Sequence, residues 1–140
     1  MLHEQVQHRI LDICISMGLR AQTEYKGSDW RADIYVPIEE RKYAFEVQLS
    51  PQSLKKTQER QAKYLRDDVV GCWLFENEPA RQKTELEKLP IFKLEQIGND
   101  IFVSLKKRKI LSLDVFIHDF LYDKIKFCHT LNPLPYVEIY

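Results

Sequence analysis

At 140 residues, with a hydrophobic fraction of 44% and a charged fraction of 30%, the chain is sized for one domain with its own core, which excludes a disordered segment or a disulfide-stapled miniprotein. Lys plus Arg equals Asp plus Glu at 21 each, so composition alone gives no pull toward nucleic acid. The cysteines, Cys14, Cys72 and Cys128, lie far apart without ligand spacing, no apolar run reaches the ~18 residues that span a bilayer, and no leader pattern opens the chain. Free buried thiols, a reducing cytoplasmic setting and no membrane contact are therefore expected.

The spacing of Val6, Ile10, Ile13 and Met17 predicts a helix over residues 2–17, ended by Gly18. An extended stretch from Arg20 to Tyr25 follows, then turn chemistry at Lys26-Gly27-Ser28-Asp29, then a strand from Trp30 to Val36. In that strand Ala32, Ile34 and Val36 point one way and Arg31, Asp33 and Tyr35 the other. After Pro37 and a charged turn, Tyr43 to Leu49 alternates, with Phe45, Val47 and Leu49 opposite Ala44, Glu46 and Gln48. Ser50 followed by Pro51 is a helix start, and the helix is expected to run to about Arg66. Val69 to Phe75 has the β-branched and aromatic content of a buried strand. Glu76 to Lys88 is polar and contains Pro79, as a surface loop would. Ile91–Ile97 and Ile101–Leu105 flank Gly98-Asn99-Asp100 as a hairpin, and a last helix begins near Ser112. The tail beyond Cys128, with Pro133 and Pro135, reads as irregular. One domain over residues 1–140 is expected, with a core over 1–76 and a C-terminal hairpin and helix over 89–128. This alternation predicts an α/β fold with a mixed central sheet and flanking helices.

The chemistry concentrates on two of these strands. Asp33 and Glu46 occupy neighbouring strands joined by a short connection that favours antiparallel pairing. Gln48 shares the face of Glu46, because side chains repeat every second residue. Two carboxylates above one sheet face can hold a divalent cation, the ion phosphodiester hydrolysis needs to polarise the phosphoryl oxygen and ionise water. All three are expected to converge on one concave patch beside the second helix. In a plainer reading, Asp33 caps backbone amides while Glu46 and Gln48 form the wet face of an edge strand. That reading has the advantage on spacing alone, since D-x(12)-E-x-Q is short. The strand's context reverses the balance, because a strand within a βαβ-like unit is expected to be covered on both faces.

Lys55, Lys56, Arg60 and Lys63 recur at three- and four-residue steps and form a basic strip able to position DNA phosphates without reading bases. Tyr64, on the face of Arg60, could stack on a base or pack the helix against the sheet. On the first helix Glu4 and His8 are four apart and form a candidate supporting pair, or a plain surface hydrogen bond. His118 and His129 read as structural.

The run Trp30-Arg31-Ala32-Asp33-Ile34, then Phe45-Glu46-Val47-Gln48-Leu49-Ser50, then Arg60, Tyr64 and Trp73, resembles the competence protein CoiA-like family. Its pattern is an R-x-D strand, an E-x-Q-x-S strand, a helix with R-x-x-x-Y and a tryptophan-bearing strand. Leu89-Pro90-Ile91-Phe92 and the segment from Leu113 to Phe127 extend the likeness over most of the chain. The resemblance implies a PD-(D/E)XK, restriction-endonuclease-like domain with a glutamine in place of the usual lysine. Asp33 and Glu46 would then bind Mg²⁺ or Mn²⁺, Gln48 would take the lysine position, and Glu24 would be a candidate further acidic ligand. It also implies a metal-dependent deoxyribonuclease of DNA uptake, recombination or repair. The alternatives are a non-catalytic DNA-binding module, or a nuclease subunit that needs a protein partner or a second copy of itself.

Overall fold

The computed structural model describes residues 1–77, 89–105, 109–127 and 136–138. Helix α1 (His3–Ser16) leads into strands β1 (Gln22–Lys26), β2 (Arg31–Ile38) and β3 (Arg41–Gln48). Helix α2 (Leu54–Arg66) crosses to β4 (Val69–Phe75), followed by β5 (Ile91–Ile97), β6 (Asp100–Ser104) and β7 (Ile110–Ser112). Helix α3 (Leu113–Leu121) and a ribbon of β8 (Ile125–Phe127) and β9 (Tyr136–Glu138) follow.

Strands β1 to β7 form one seven-stranded mixed sheet in chain order. The outer pairs are antiparallel, while β3, β4 and β5 run parallel in the middle. The β3-α2-β4 crossover makes this possible, because parallel neighbours need a long connection across one face. Helices cover both faces, as central parallel strands require. On one side Val6 and Ile10 of α1 and Phe116, Ile117 and Phe120 of α3 pack on Ile34, Phe45, Val47 and Leu74. On the other, Tyr64 of α2 packs on Ala44, Trp73 and Phe75. The β3 alternation is as expected, with Phe45 and Val47 in the first cluster and Ala44 in the second. Ala32 departs from it, joining the second cluster although Ile34 and Val36 belong to the first.

Gly18, at a φ of +77°, ends α1 while the Leu19 amide returns to the Cys14 carbonyl at 3.0 Å. Gly98, at a φ of +63°, turns the β5–β6 hairpin, whose pairing closes at Ile97 and Asp100 and leaves Gly98-Asn99 as a two-residue loop. Three expectations need correction. Helix α2 starts at Leu54, not at Ser50-Pro51, with Ser53 as its cap accepting from the Lys56 amide at 3.1 Å. The chain carries the short strand β7, which pairs with β6. Within the tail read as irregular, Tyr136–Glu138 forms strand β9 and pairs with β8, which precedes Cys128. Residues 78–88 of the stretch expected as a surface loop, the basic residues 106–108, Cys128 and His129 lie outside the described residues.

Cys14 and Cys72 are buried free thiols, and burial pushes the Cys14 thiol up to about 12. No helix among the described residues is long and apolar enough to cross a membrane.

Candidate active site

Asp33 stands where both ladders adjoining β2 are interrupted. Pairing of β1 with β2 runs from Thr23 and Ile34 to Tyr25 and Ala32, passing over Glu24 and Asp33. Glu24 sits there at a φ of +52°, a left-handed conformation that costs a non-glycine residue free energy. Pairing of β2 with β3 stops at Ile34 and Phe45, one step before Asp33 and Glu46 would face each other. Beyond that point the Val47 amide donates to Asp33 Oδ2 at 2.8 Å, so the carboxylate takes over a backbone acceptor's place. The cap foreseen in the plainer reading of Asp33 is therefore present. It does not displace the carboxylate from the site, because Asp33 also lines the cavity at the ends of β2 and β3.

That cavity, about 540 Å³, is lined by Asp33, Glu46, Gln48, Ser50 and Arg60, with His3 and Glu76 at its wall. Glu46 is only 2% exposed. Its Oε1 accepts from Arg60 Nη2 at 2.9 Å and from the Tyr64 hydroxyl. Burial, and after it the neighbouring Asp33 charge, push the Glu46 carboxyl up to about 8 against the pull of Arg60 and the Tyr64 hydroxyl, which favour its ionised form. A buried carboxyl group whose ionisation is opposed by a carboxylate in the same cavity is a place where a divalent cation would substitute for a proton. Among the described residues no group of three or more His, Cys, Asp or Glu side chains is arranged for a metal ion. A pair is compatible with Mg²⁺, which keeps several waters and takes one or two carboxylates.

The remaining candidates divide. Gln48 lines the cavity, but its amide donates to the Ser50 carbonyl at 2.8 Å, and so is tied to the strand end. Glu24 is exposed and bonds to Arg31 Nε at 3.0 Å and Gln7 Nε2 at 3.3 Å; it is not part of the cavity wall. Glu4 and His8 are exposed and likewise outside it. The α1 side chain that reaches the site is His3, with Nε2 3.3 Å from Asp33 Oδ2. Its position was readable, since His3 lies three residues before the inward-facing Val6. Glu76, also missed, follows β4 directly, and its amide donates to the Gln48 carbonyl at 3.1 Å. Parallel pairing of β3 and β4 would have placed it there. Lys55 and Lys56 are exposed, whereas Lys63 bonds the Asp29 carbonyl at 3.2 Å. Tyr64 is 1% exposed, so its ring has no face for a base; it packs against Trp30 and Trp73 and holds Glu46.

A mixed sheet covered on both faces, with two carboxylates from adjacent strands meeting where their ladder parts, defines a restriction-endonuclease-like α/β domain. The family model described as competence protein CoiA, nuclease-like domain, matches residues 1–126, and the chain belongs to that family. Searches of the curated proteins and of the solved structures found no significant match.

Proposed function

We propose that the chain is a Mg²⁺- or Mn²⁺-dependent deoxyribonuclease that hydrolyses DNA phosphodiester bonds, in the DNA-uptake or recombination setting that its family's name suggests. The observation that carries this reading is the meeting of the Asp33 and Glu46 carboxyl groups in one cavity, with Glu46 buried and its carboxyl pushed up to about 8. Asp33 and Glu46 would hold the ion, which would supply Lewis acidity toward a phosphoryl oxygen and toward water. Val47's amide fixes the Asp33 carboxylate, and Arg60 and Tyr64 fix Glu46, so neither side chain needs to reorganise to present its oxygens. Gln48, tied to Ser50, shapes the mouth of the cavity and brings no charge.

The test is incubation of the purified chain with labelled single-stranded, duplex and branched DNA, with Mg²⁺, with Mn²⁺ and with EDTA. Cleavage that depends on the ion is expected. A folded protein that neither cleaves any of these nor gains thermal stability with either ion would point to the second reading, a non-catalytic DNA-binding module. That reading has one observation in its favour: Glu46 Oε1 is already engaged by Arg60 and Tyr64.

A further inference from the structure

We propose that Arg60 is the catalytic cation of this site, binding the scissile phosphate in the role that Gln48 cannot fill. This rests on the nuclease reading and adds to it the group that meets the substrate's charge. Cleaving a phosphodiester builds negative charge on the phosphoryl oxygens, and a donor already aimed at that charge is worth most where water is scarce. Gln48 has no charge to offer and its amide is turned to Ser50. Arg60 is the one Lys or Arg side chain among the described residues that line the cavity.

The guanidinium is built in rather than draped on the surface. Its central carbon lies 4.9 Å from the centroid of the Trp73 ring, an indole that is fully buried. Nη1 donates to Gln52 Oε1 at 3.2 Å and Nη2 to Glu46 Oε1 at 2.9 Å. These bonds use two of the five N–H donors a guanidinium carries, so the head can take a phosphate oxygen without releasing Glu46. The side chain is one-third exposed against 3% for Glu46, so it is the more open member of the pair to a phosphate arriving from solvent.

A relay of side chains holds the platform. Trp73 Nε1 donates to Gln61 Oε1 at 2.9 Å, one residue along α2 from Arg60. Gln61 fits there because residue 71 is glycine, where an added Cβ would come within 2.3 Å of that same oxygen. Gly71, Gln61 and Trp73 are thus positioning residues for Arg60. An ordinary strip of surface lysines and arginines needs none of this.

The test has two arms. The first measures Mn²⁺-dependent cleavage of a labelled duplex by Arg60→Gln and Arg60→Lys. The second removes the risk that Arg60→Gln misfolds around an unpaired Glu46. It compares Glu46→Gln with Glu46→Gln/Arg60→Gln for binding of the same duplex in EDTA across a salt series. Arg60→Gln is expected to slow cleavage by about a hundredfold or more, the loss typical of removing one such donor, and Arg60→Lys to slow it less. The double variant is expected to bind more weakly than Glu46→Gln, with a salt slope smaller by about one. Wild-type cleavage by Arg60→Gln, or equal affinity and slope in the two binding variants, overturns the proposal and leaves the nuclease reading standing. A wild-type protein that neither cleaves nor binds the duplex overturns both.

Discussion

Asp33 joins an observed backbone cap to a proposed metal-holding role in one carboxylate, and substitutions can separate the two. Asp33→Ala strands the Val47 amide, whose acceptor it removes, and is expected to cost about 1–3 kcal/mol of stability along with all metal-dependent cleavage. Asp33→Asn keeps an acceptor for Val47 and is expected to retain most of the stability while still losing cleavage; wild-type cleavage by this variant would reduce Asp33 to a cap. Glu46 makes a separate forecast from pH. Its carboxyl is raised from 4.5 to about 8 on folding, so between those values the folded chain holds a proton that the unfolded chain has lost. Its contribution to stability is therefore complete below about pH 4.5 and falls as pH rises toward 8. A divalent cation taking the proton's place should raise Tm by more at pH 8 than at pH 6, and Glu46→Gln should flatten both trends. A Tm shift with Mn²⁺ that does not depend on pH would separate the ion from Glu46. The pairing of these two carboxylates was legible, because strand alternation and a short connection put them on adjacent positions of one face. The Arg60 and Tyr64 locks on Glu46 were not, since alternation gives a side chain's face but not what covers it.

At the scale of elements, the periodic signals carried most of the fold and the short or competing ones did not. Helix α1, strands β2 to β6 and the Gly98 hairpin follow from patterns long enough to hold a period. Strands β7, β8 and β9 have three residues each, too few to show one. The start of α2 was ambiguous in a different way, because Ser50-Pro51 and Ser53 are both good starts. Ser53 takes the cap, while Ser50 instead receives the Gln48 amide. Ser53→Ala is accordingly expected to lower stability by about 1 kcal/mol in denaturant unfolding, with Ser50→Ala having no effect through the helix. Comparable losses from both would mean that the helix begins earlier. The seat of α2 on β4 makes a sharper demand. An added methyl at residue 71 would come within 2.3 Å of Gln61 Oε1 and 3.2 Å of Tyr64 Cδ2. Gly71→Ala is expected to destabilise by about 1–3 kcal/mol, as overpacking does, and to depress cleavage beyond the stability loss by shifting Trp73 and Arg60. Undiminished stability would show that Gln61 moves aside freely.

Over the whole molecule, the site sits at the strand ends between the two cores, with Arg60 of α2 and His3 of α1 both at its cavity. Only a chain long enough to cover both faces of a parallel centre can place buried Glu46 beside a surface cavity. The formal net charge of zero means that the molecule as a whole has no net charge to draw DNA in. Any attraction must be local, and α2 is the described element that concentrates it. Lys55 and Lys56 are exposed on its first turn, Arg60 follows one turn on at the cavity, while Lys63 is drawn toward the Asp29 carbonyl. DNA that reaches Arg60 would thus run along the start of α2, held by backbone phosphates and with little regard for sequence. Lys55→Glu/Lys56→Glu is therefore expected to weaken DNA binding measured in EDTA and to lower the salt slope by about two, one for each phosphate that the lysines no longer neutralise. The substitutions are exposed and should leave thermal stability within about 0.5 kcal/mol of wild type, so a binding loss cannot be traced to unfolding. Affinity and slope both equal to wild type would send the DNA path away from α2, and would leave Arg60 to bind its phosphate from another direction.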